Sequence, residues 1–200
     1  MAKSNRQVEE RKMRQDRILD GALEVFKTKG LENATMEEIA SKSGFGKATL
    51  YYYFQSKEDV FSAILHNGWQ MLWISLEPVI AEGEGARNTF IQVLLKIAEN
   101  IRNRPGLFEF LYSAPKAIVF DEQPWKKYQE RMYGTLNSLL EDGIKAKEFP
   151  QMESKLLFKA LGGLFMGLVL IGEKEDPVSE KDIEQLLNQL IMNPIKKNEN

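Results

Sequence analysis

Residues 35–57 read TMEEIASKSGFGKATLYYYFQSK. Thr35, followed three residues later by a glutamate, forms a capping box that predicts the start of a short helix, and Gly44 predicts its end. A second short helix is predicted over about Lys47 to Phe54. Two short helices joined by the few residues Ser43 to Gly46 are typical of a helix-turn-helix, whose second helix enters the major groove of DNA.

The second short helix carries three successive tyrosines, Tyr51, Tyr52 and Tyr53. Leu50 and Phe54 lie four residues apart and would anchor the helix inward. The tyrosines cannot all be buried, because consecutive helix positions are turned by about 100°. Hydroxyl and ammonium groups near a helix start suit phosphate oxygens and base edges, whereas a core stripe is the alternative role for such aromatics.

Two flanking residues each allow two interpretations. Thr35 is a helix cap in either case, but the exposed start of its helix is also a site where a phosphate can bind. Lys57 begins the next helix, where it is either a solvated surface charge or a phosphate contact.

Helical periodicity continues on both sides of this motif, and no run alternates cleanly enough to predict a strand. A helix is predicted from about Arg11 to Lys29, with Gly30 as its stop. Further helices are predicted at about 57–80, 90–101, 125–147, 152–171 and 179–192, with a short apolar segment at 107–112, a loop at 115–124 and a charged turn at 172–177. The expected fold is all-α with about nine helices, a three-helix helix-turn-helix domain (1–56) followed by a larger helical bundle (57–200).

Charge is divided unevenly along the chain. The net charge of -2 and the isoelectric point near 5.7, taken as averages, argue against a nucleic-acid partner. Residues 1–57, however, carry 11 Lys and Arg against 8 Asp and Glu, which makes this segment +3 and the remainder -5. A basic segment is attracted to phosphate, although ordinary scatter of surface charges produces similar differences.

The spacing across the first four helices resembles the DNA-binding domain of the tetracycline-repressor (TetR) family. The resemblance covers about Arg14 to Ile64. The residues that carry it are Ile18, Leu19, Ala22, Leu23, Phe26, Lys29, Gly30, Thr35, Met36, Ile39, Ala40, the run 44–54 and Ser56-Lys57-Glu58. It implies phosphate contacts from Thr35, Tyr51, Tyr53 and Lys57, and base or groove contacts from Lys47, Ala48, Thr49 and Tyr52.

Two positions depart from the family pattern. Gly46 stands where Ser or Ala often caps the recognition helix, which predicts a weaker cap. Ala48 stands where Gly is common, and its methyl group would either touch a thymine methyl or crowd the DNA backbone. Both departures bear on base preference.

The resemblance also implies that the remaining helices form a regulatory and dimerisation domain. Residues 156–171 are apolar almost all round after Lys159, which predicts burial on several sides. A central core helix of a monomer is the alternative to the two-fold four-helix interface that we expect. The expected interface residues are Leu161, Gly163, Leu164, Gly167, Leu168, Leu187 and Leu190.

Aromatic and methionine side chains offer surface for a lipophilic effector, although each also suits a core. Glu109 lies inside an apolar segment, where its carboxylate could meet a cationic ligand or simply face solvent from a loop. The candidate ligand-binding residues are Trp69, Trp73, Phe108, Glu109, Tyr112, Trp125, Met132, Phe165 and Met166.

Composition excludes several kinds of site. The chain has no cysteine and one histidine, His66, which rules out disulfides, thiolate nucleophiles, Cys-ligated zinc and iron-sulfur clusters. No Ser-His-Asp set, phosphate-cradling glycine loop or His-x-x-x-His motif is present, so we expect no enzyme, catalytic residue, metal or cofactor. The first ten residues lack a signal-like apolar region, and the longest apolar stretch (160–172) is too short to span a bilayer. A cytoplasmic protein without a membrane partner is therefore expected.

The expected function is that of a ligand-responsive transcriptional regulator. It would be a repressor that binds a palindromic operator in double-stranded DNA as a homodimer and is released by a small lipophilic molecule. The alternative is a constitutive DNA-binding or protein-interaction module that uses its helical body only to dimerise.

Overall fold

A computed structural model of the chain describes residues 2–113, 124–171 and 179–191. These residues form nine α-helices and no strand, which confirms the all-α prediction for the described part of the chain. The helices are α1 (Ala2–Asn33), α2 (Met36–Ser43), α3 (Lys47–Tyr53), α4 (Lys57–Ala81), α5 (Ala86–Asn103), α6 (Pro105–Ser113), α7 (Lys126–Lys145), α8 (Ser154–Met166) and α9 (Glu180–Leu186). Helices α8 and α9 continue as single π-helical turns, Gly167–Ile171 and Leu187–Ile191. The predicted loop, apart from Pro124, and the predicted charged turn lie outside the described residues.

The described residues fall into two compact units, one within Met1–Gly68 and Phe110–Trp125, the other within Trp69–Glu109 and Lys126–Asn200. In the first unit, the ring of Phe26 packs against Phe61 and Phe110 at centroid distances of 5.4 and 6.2 Å. Ile18, Ala22, Ile39 and Leu50 are fully buried, so α1, α2 and α3 share one apolar core.

Helices α1 and α2 approach closely at Gly21. A Cβ at this position would lie 2.8 Å from the backbone nitrogen of Ser43. The buried Ser43 hydroxyl donates to the carbonyls of Ile39 (2.7 Å) and Ala40 (3.1 Å), so its polar atom is satisfied within α2. The glycine therefore sets how tightly the first helix packs against the helix-turn-helix.

The second unit is built from the later part of α4 and from α5, α7, α8 and α9. The rings of Phe90 and Phe149 meet edge to face at 5.7 Å, and Tyr133 contacts Trp69 and Phe158 at 6.3 and 5.9 Å. The carboxylate of Glu148 accepts a hydrogen bond from the Arg87 N–H (2.9 Å). The bond satisfies a backbone donor in the first turn of α5.

Two predictions differ from the structure, at the start of α1 and after Pro105. Helix α1 begins at Ala2, well before the predicted start near Arg11. The prediction missed these first turns because they are polar and show no apolar periodicity. The backbone of α1 breaks at Gly30 (φ 74°), as predicted, although helical residues resume afterwards. Pro78 lies inside α4, whose end at Ala81 agrees with the helix predicted over about 57–80. The apolar segment after Pro105 is helix α6, with the proline at its first position, where its missing N–H costs nothing.

Candidate nucleic-acid interface

The cap of α2 has the predicted geometry. The Glu38 N–H donates to Thr35 Oγ1 (3.3 Å), and the Thr35 N–H donates to Glu38 Oε2 (3.1 Å), which completes a capping box. Glu38 also pairs with Lys29 of α1, and hydrogen bonding to this lysine lowers the pKa of the carboxylate. The Thr35 oxygen acts only as an acceptor in the cap, so the O–H of this exposed residue still has a proton to donate.

The turn between α2 and α3 is sharp. Gly44 adopts the left-handed conformation (φ 73°), and its N–H donates to the last carbonyls of α2. The Phe45 N–H also returns to Ala40 O at 2.9 Å. Gly46 is the N-cap of α3 and provides no side-chain hydrogen bond, so the weaker cap predicted for this position is present.

Helix α3 is anchored on one face only. Leu50 and Phe54 are buried, as predicted, whereas Tyr52 is 69% exposed and Tyr51 is 38% exposed. Lys47 and Ala48 are also exposed, and Thr49 and Tyr53 are half-buried. The prediction that the three tyrosines cannot all be buried is confirmed. The helix therefore presents an ammonium group, a methyl group and phenol rings to solvent.

The ammonium group of Lys47 is paired with the carboxylate of Glu37 on α2. The two side chains are 57% and 56% exposed. Hydrogen bonding from Lys47 lowers the pKa of Glu37, and the same pair raises the pKa of Lys47. Lys47 Nζ lies 5.8 Å from the centroid of the Tyr51 ring. An anion approaching Lys47 must therefore compete with Glu37.

Lys57 occupies a third kind of position, in addition to the two considered from the sequence. Its ammonium donates to the carbonyls of Glu32 (2.7 Å) and Ala34 (3.0 Å), at the end of α1. The lysine thus fastens the start of α4 to the end of α1. An ammonium has three N–H groups, and these bonds use two of them.

The first turns of α1 lie beside α3, which sequence reasoning missed. Arg11 Cζ lies 5.8 and 6.0 Å from the ring centroids of Tyr52 and Tyr53, within cation-π range. The two rings meet edge to face at 5.2 Å. A signal was present in the spacing of Gln7, Arg11 and Arg14, which places three polar side chains on one face of a helix.

The candidate ligand-binding residues are divided between the two units. Tyr112 and Trp125 belong to the first unit, and the others belong to the second. The buried members are Trp69, Trp73, Phe108, Trp125, Met132 and Phe165, and the half-buried members are Glu109, Tyr112 and Met166. Trp73 Nε1 donates to Glu77 Oε1 (2.7 Å), and Arg131 lies 4.5 Å from the Trp73 ring. Glu109 lies on helix α6, not on a loop.

The candidate interface residues also differ from one another. Leu161 and Leu187 are buried within the chain, Gly163 is exposed, and Leu164, Gly167 and Leu168 are half-buried. The side chain of Leu190 lies outside the described residues. Helix α8 thus buries one side within the chain and leaves the other accessible, so burial on several sides in a dimer stays a prediction.

In residues 2–113, 124–171 and 179–191, no three His, Cys, Asp or Glu side chains are grouped as metal ligands. None of the helices in this part of the chain has the length and apolar character needed to cross a membrane.

Residues 18–64 match the family model for bacterial regulatory proteins of the tetR family. The uncharacterized HTH-type transcriptional regulator YfiR of Bacillus subtilis is 27% identical over 185 residues, covering 86% of this chain and 87% of YfiR. The TetR-family regulator PfmR of Thermus thermophilus has a similar fold, with a TM-score of 0.75, 19% identity and coverage of 90% and 99%. AibR, in complex with isovaleryl coenzyme A and operator DNA, also has a TM-score of 0.75, with 16% identity and coverage of 91% and 100%.

Proposed function

Because the chain is a transcriptional regulator of the TetR family, with that family's N-terminal domain at residues 18–64, we propose that it is a repressor of the ligand-released kind. It binds a palindromic operator as a homodimer in the cytoplasm and dissociates when a small lipophilic molecule binds. Residues 1–56 supply DNA binding, and residues 57–200 supply effector binding and dimerisation. The resemblance noted in the sequence is confirmed, and the relatives are regulators, not enzymes.

The observation that carries this proposal is the exposed face of α3. A helix anchored by Leu50 and Phe54 presents its opposite side to a major groove, and Tyr52 is the most exposed tyrosine of that side. In the proposed complex, Thr35, Tyr51, Tyr53 and Lys57 contact phosphates, and Lys47, Ala48, Thr49 and Tyr52 contact the groove. The phosphate contacts set the register of the helix, and the groove contacts select the sequence.

The accessible side of α8 supports a homodimer. Leu156 is 54% exposed, and added Cβ atoms at Gly162, Gly163 and Gly167 would meet nothing within 4 Å. A glycine-lined apolar side permits close approach by another helix, and a two-fold partner supplies the same side in return. Two recognition helices about 34 Å apart then match half-sites one turn of DNA apart.

The aromatic cluster of the second unit supports a lipophilic effector. Trp69, Tyr133 and Phe158 are in ring contact, and burial raises the pKa of Tyr133, so its phenol stays a neutral hydrogen-bond donor. AibR has the same fold and was solved with isovaleryl coenzyme A, which makes acyl-CoA thioesters reasonable first probes. The effector acts through its different affinities for the DNA-binding and DNA-free conformations.

DNA selection with the full chain tests the DNA-binding proposal. Bound duplexes are selected from a random pool, and their affinity is measured by fluorescence anisotropy against scrambled duplexes. Tyr52→Ala is expected to lower the affinity for selected DNA by about five- to 150-fold, which is the effect of losing one base contact. Tyr128→Ala, which removes a tyrosine from α7, is expected to bind like the wild type. A wild-type protein without sequence-selective binding would refute the proposal.

The effector is tested separately. Isovaleryl-CoA and longer acyl-CoA thioesters are added to the complex with selected DNA, and release is followed by anisotropy. A binder is also expected to raise the melting temperature of the DNA-free protein. Release by no acyl-CoA or other lipophilic compound would favour the constitutive DNA-binding protein.

A further inference from the structure

A groove of about 480 Å³ lies between the first turns of α1 and the end of α3. Its lining residues are Gln7, Val8, Glu10, Arg11, Arg14, Tyr52 and Tyr53. All of its α1 residues precede residue 18, where the family match begins. We propose that this groove binds the DNA phosphate backbone through Arg11 and Arg14. The inference rests on the proposed DNA-binding function and extends the contact surface beyond the helix-turn-helix.

The charge of the groove suits a polyanion. Arg11 and Arg14 supply two guanidinium groups, and neither has a carboxylate partner among the described residues. Glu10 is the one carboxylate in the lining, and it accepts a hydrogen bond from Arg6 Nε at 3.1 Å. Since Arg6 offsets the charge of Glu10, the groove retains the positive charge of the other two arginines.

Arg11 has a geometry that leaves its donors available. A guanidinium interacts with an aromatic ring through its face, while its N–H groups point outward in the plane. With Tyr52 and Tyr53 both within 6.0 Å of its Cζ, Arg11 is held beside α3 without using those N–H groups on a carboxylate. A guanidinium in this state can form two parallel hydrogen bonds to one phosphate.

Continuity with α3 favours DNA as the occupant. Tyr52 lines the groove and also belongs to the proposed recognition surface, where its side chain is 69% exposed. A duplex that meets Tyr52 therefore brings its sugar-phosphate strand next to Arg11. Arg14 follows three residues later on the same helix face, so both charges can neutralise phosphates of one strand.

The test compares salt dependence among arginine variants of the full chain. Arg11→Gln and Arg14→Gln are each expected to reduce the slope of log affinity against log salt by about 0.9 per bound protomer. At about 0.15 M salt, each variant is expected to lower the affinity for selected and for scrambled duplexes alike, by roughly fivefold per protomer. Arg11→Lys keeps the charge and is expected to keep the slope. Lys12→Gln is the matched control, because Lys12 is an exposed cation of the same helix and lies outside the lining.

Three results would overturn the inference. The first is a double variant, Arg11→Gln with Arg14→Gln, that binds with wild-type affinity and slope. The second is weakened binding with an unchanged slope, which would mean that the arginines only support α3. The third is an equal loss of slope in Lys12→Gln, which would indicate a general charge effect. If the wild type itself binds no selected DNA, the proposed function fails, so the two failures are distinguishable.

Phosphate ethylation provides a second measurement. Ethyl groups on particular phosphates of the selected duplex are expected to block binding of the wild type but not of the double variant. Identical interference patterns for the two proteins would contradict the proposal, even if their affinities differed. Circular dichroism melting of each variant verifies the fold, and Arg11→Lys remains informative if a glutamine variant does not fold.

Discussion

Replacing Glu37 by glutamine is expected to strengthen DNA binding. Glu37 holds the ammonium of Lys47, the first residue of the proposed recognition helix, in an ion pair on the surface that faces DNA. Binding of a phosphate or base edge to Lys47 must break or share this pair, and the Glu37 charge also repels the DNA backbone. Glutamine keeps the shape and removes both effects.

The size of the effect follows from the exposure of the pair. With side chains 57% and 56% exposed, solvent screens their attraction, and such pairs affect equilibria by about 1.5- to fivefold. Glu37→Gln is therefore expected to raise affinity by that factor per bound protomer, or about two- to 25-fold for a dimer. The slope of log affinity against log salt is also expected to steepen by up to about 0.9 per protomer, because a Lys47 freed from Glu37 displaces up to one more condensed cation from the DNA.

The assay is fluorescence anisotropy with selected duplex at several salt concentrations. Glu24→Gln is the matched control, because Glu24 pairs with Lys42 at 2.6 Å in the same unit and is similarly exposed. Neither Glu24 nor Lys42 belongs to the proposed contact set. Wild-type or weaker affinity for Glu37→Gln would refute the reasoning. An equal gain for Glu24→Gln would show that total charge, not the release of Lys47, is responsible.

Three further predictions concern stability. Gly46→Ser supplies the missing side-chain cap of α3 in open space. It is expected to stabilise the fold by about 0.3 kcal/mol, seen as a slightly higher melting temperature in differential scanning calorimetry. Gly21→Ala is expected to lower the free energy of unfolding by about 1–3 kcal/mol in urea denaturation, because its Cβ would lie 2.8 Å from the Ser43 nitrogen. Its control is Gly134→Ala, in open space on α7, which is expected to raise the free energy of unfolding by up to about 1 kcal/mol. Hydrogen bonding to Lys29 lowers the pKa of Glu38 from 4.5. Its contribution to stability is therefore present above pH 4.5 and is lost as the pH falls through the lower pKa of the folded state. In an acid titration of unfolding, Glu38→Gln is expected to lose less stability than the wild type.

The parts of the fold that could be predicted depend on neighbours within about four residues. Thr35 with Glu38 and the left-handed Gly44 are local devices, and the anchoring of α3 by Leu50 and Phe54 follows from helical period. The +3 segment and the absent cysteines likewise needed only the composition. These features were sufficient for the all-α fold and for the expectation of DNA binding.

Other features depend on residues distant in sequence, and no local pattern specifies them. The pairing of Lys47 with Glu37, the bonds from Lys57 to carbonyls at the end of α1, and the position of Arg11 beside Tyr52 arise from how the helices pack. Packing also determined which side of α8 is buried, since its residues are apolar almost all round and periodicity cannot distinguish the sides. Local sequence thus specified the helices and their caps, whereas burial among distant segments placed the charges around the proposed DNA-binding surface.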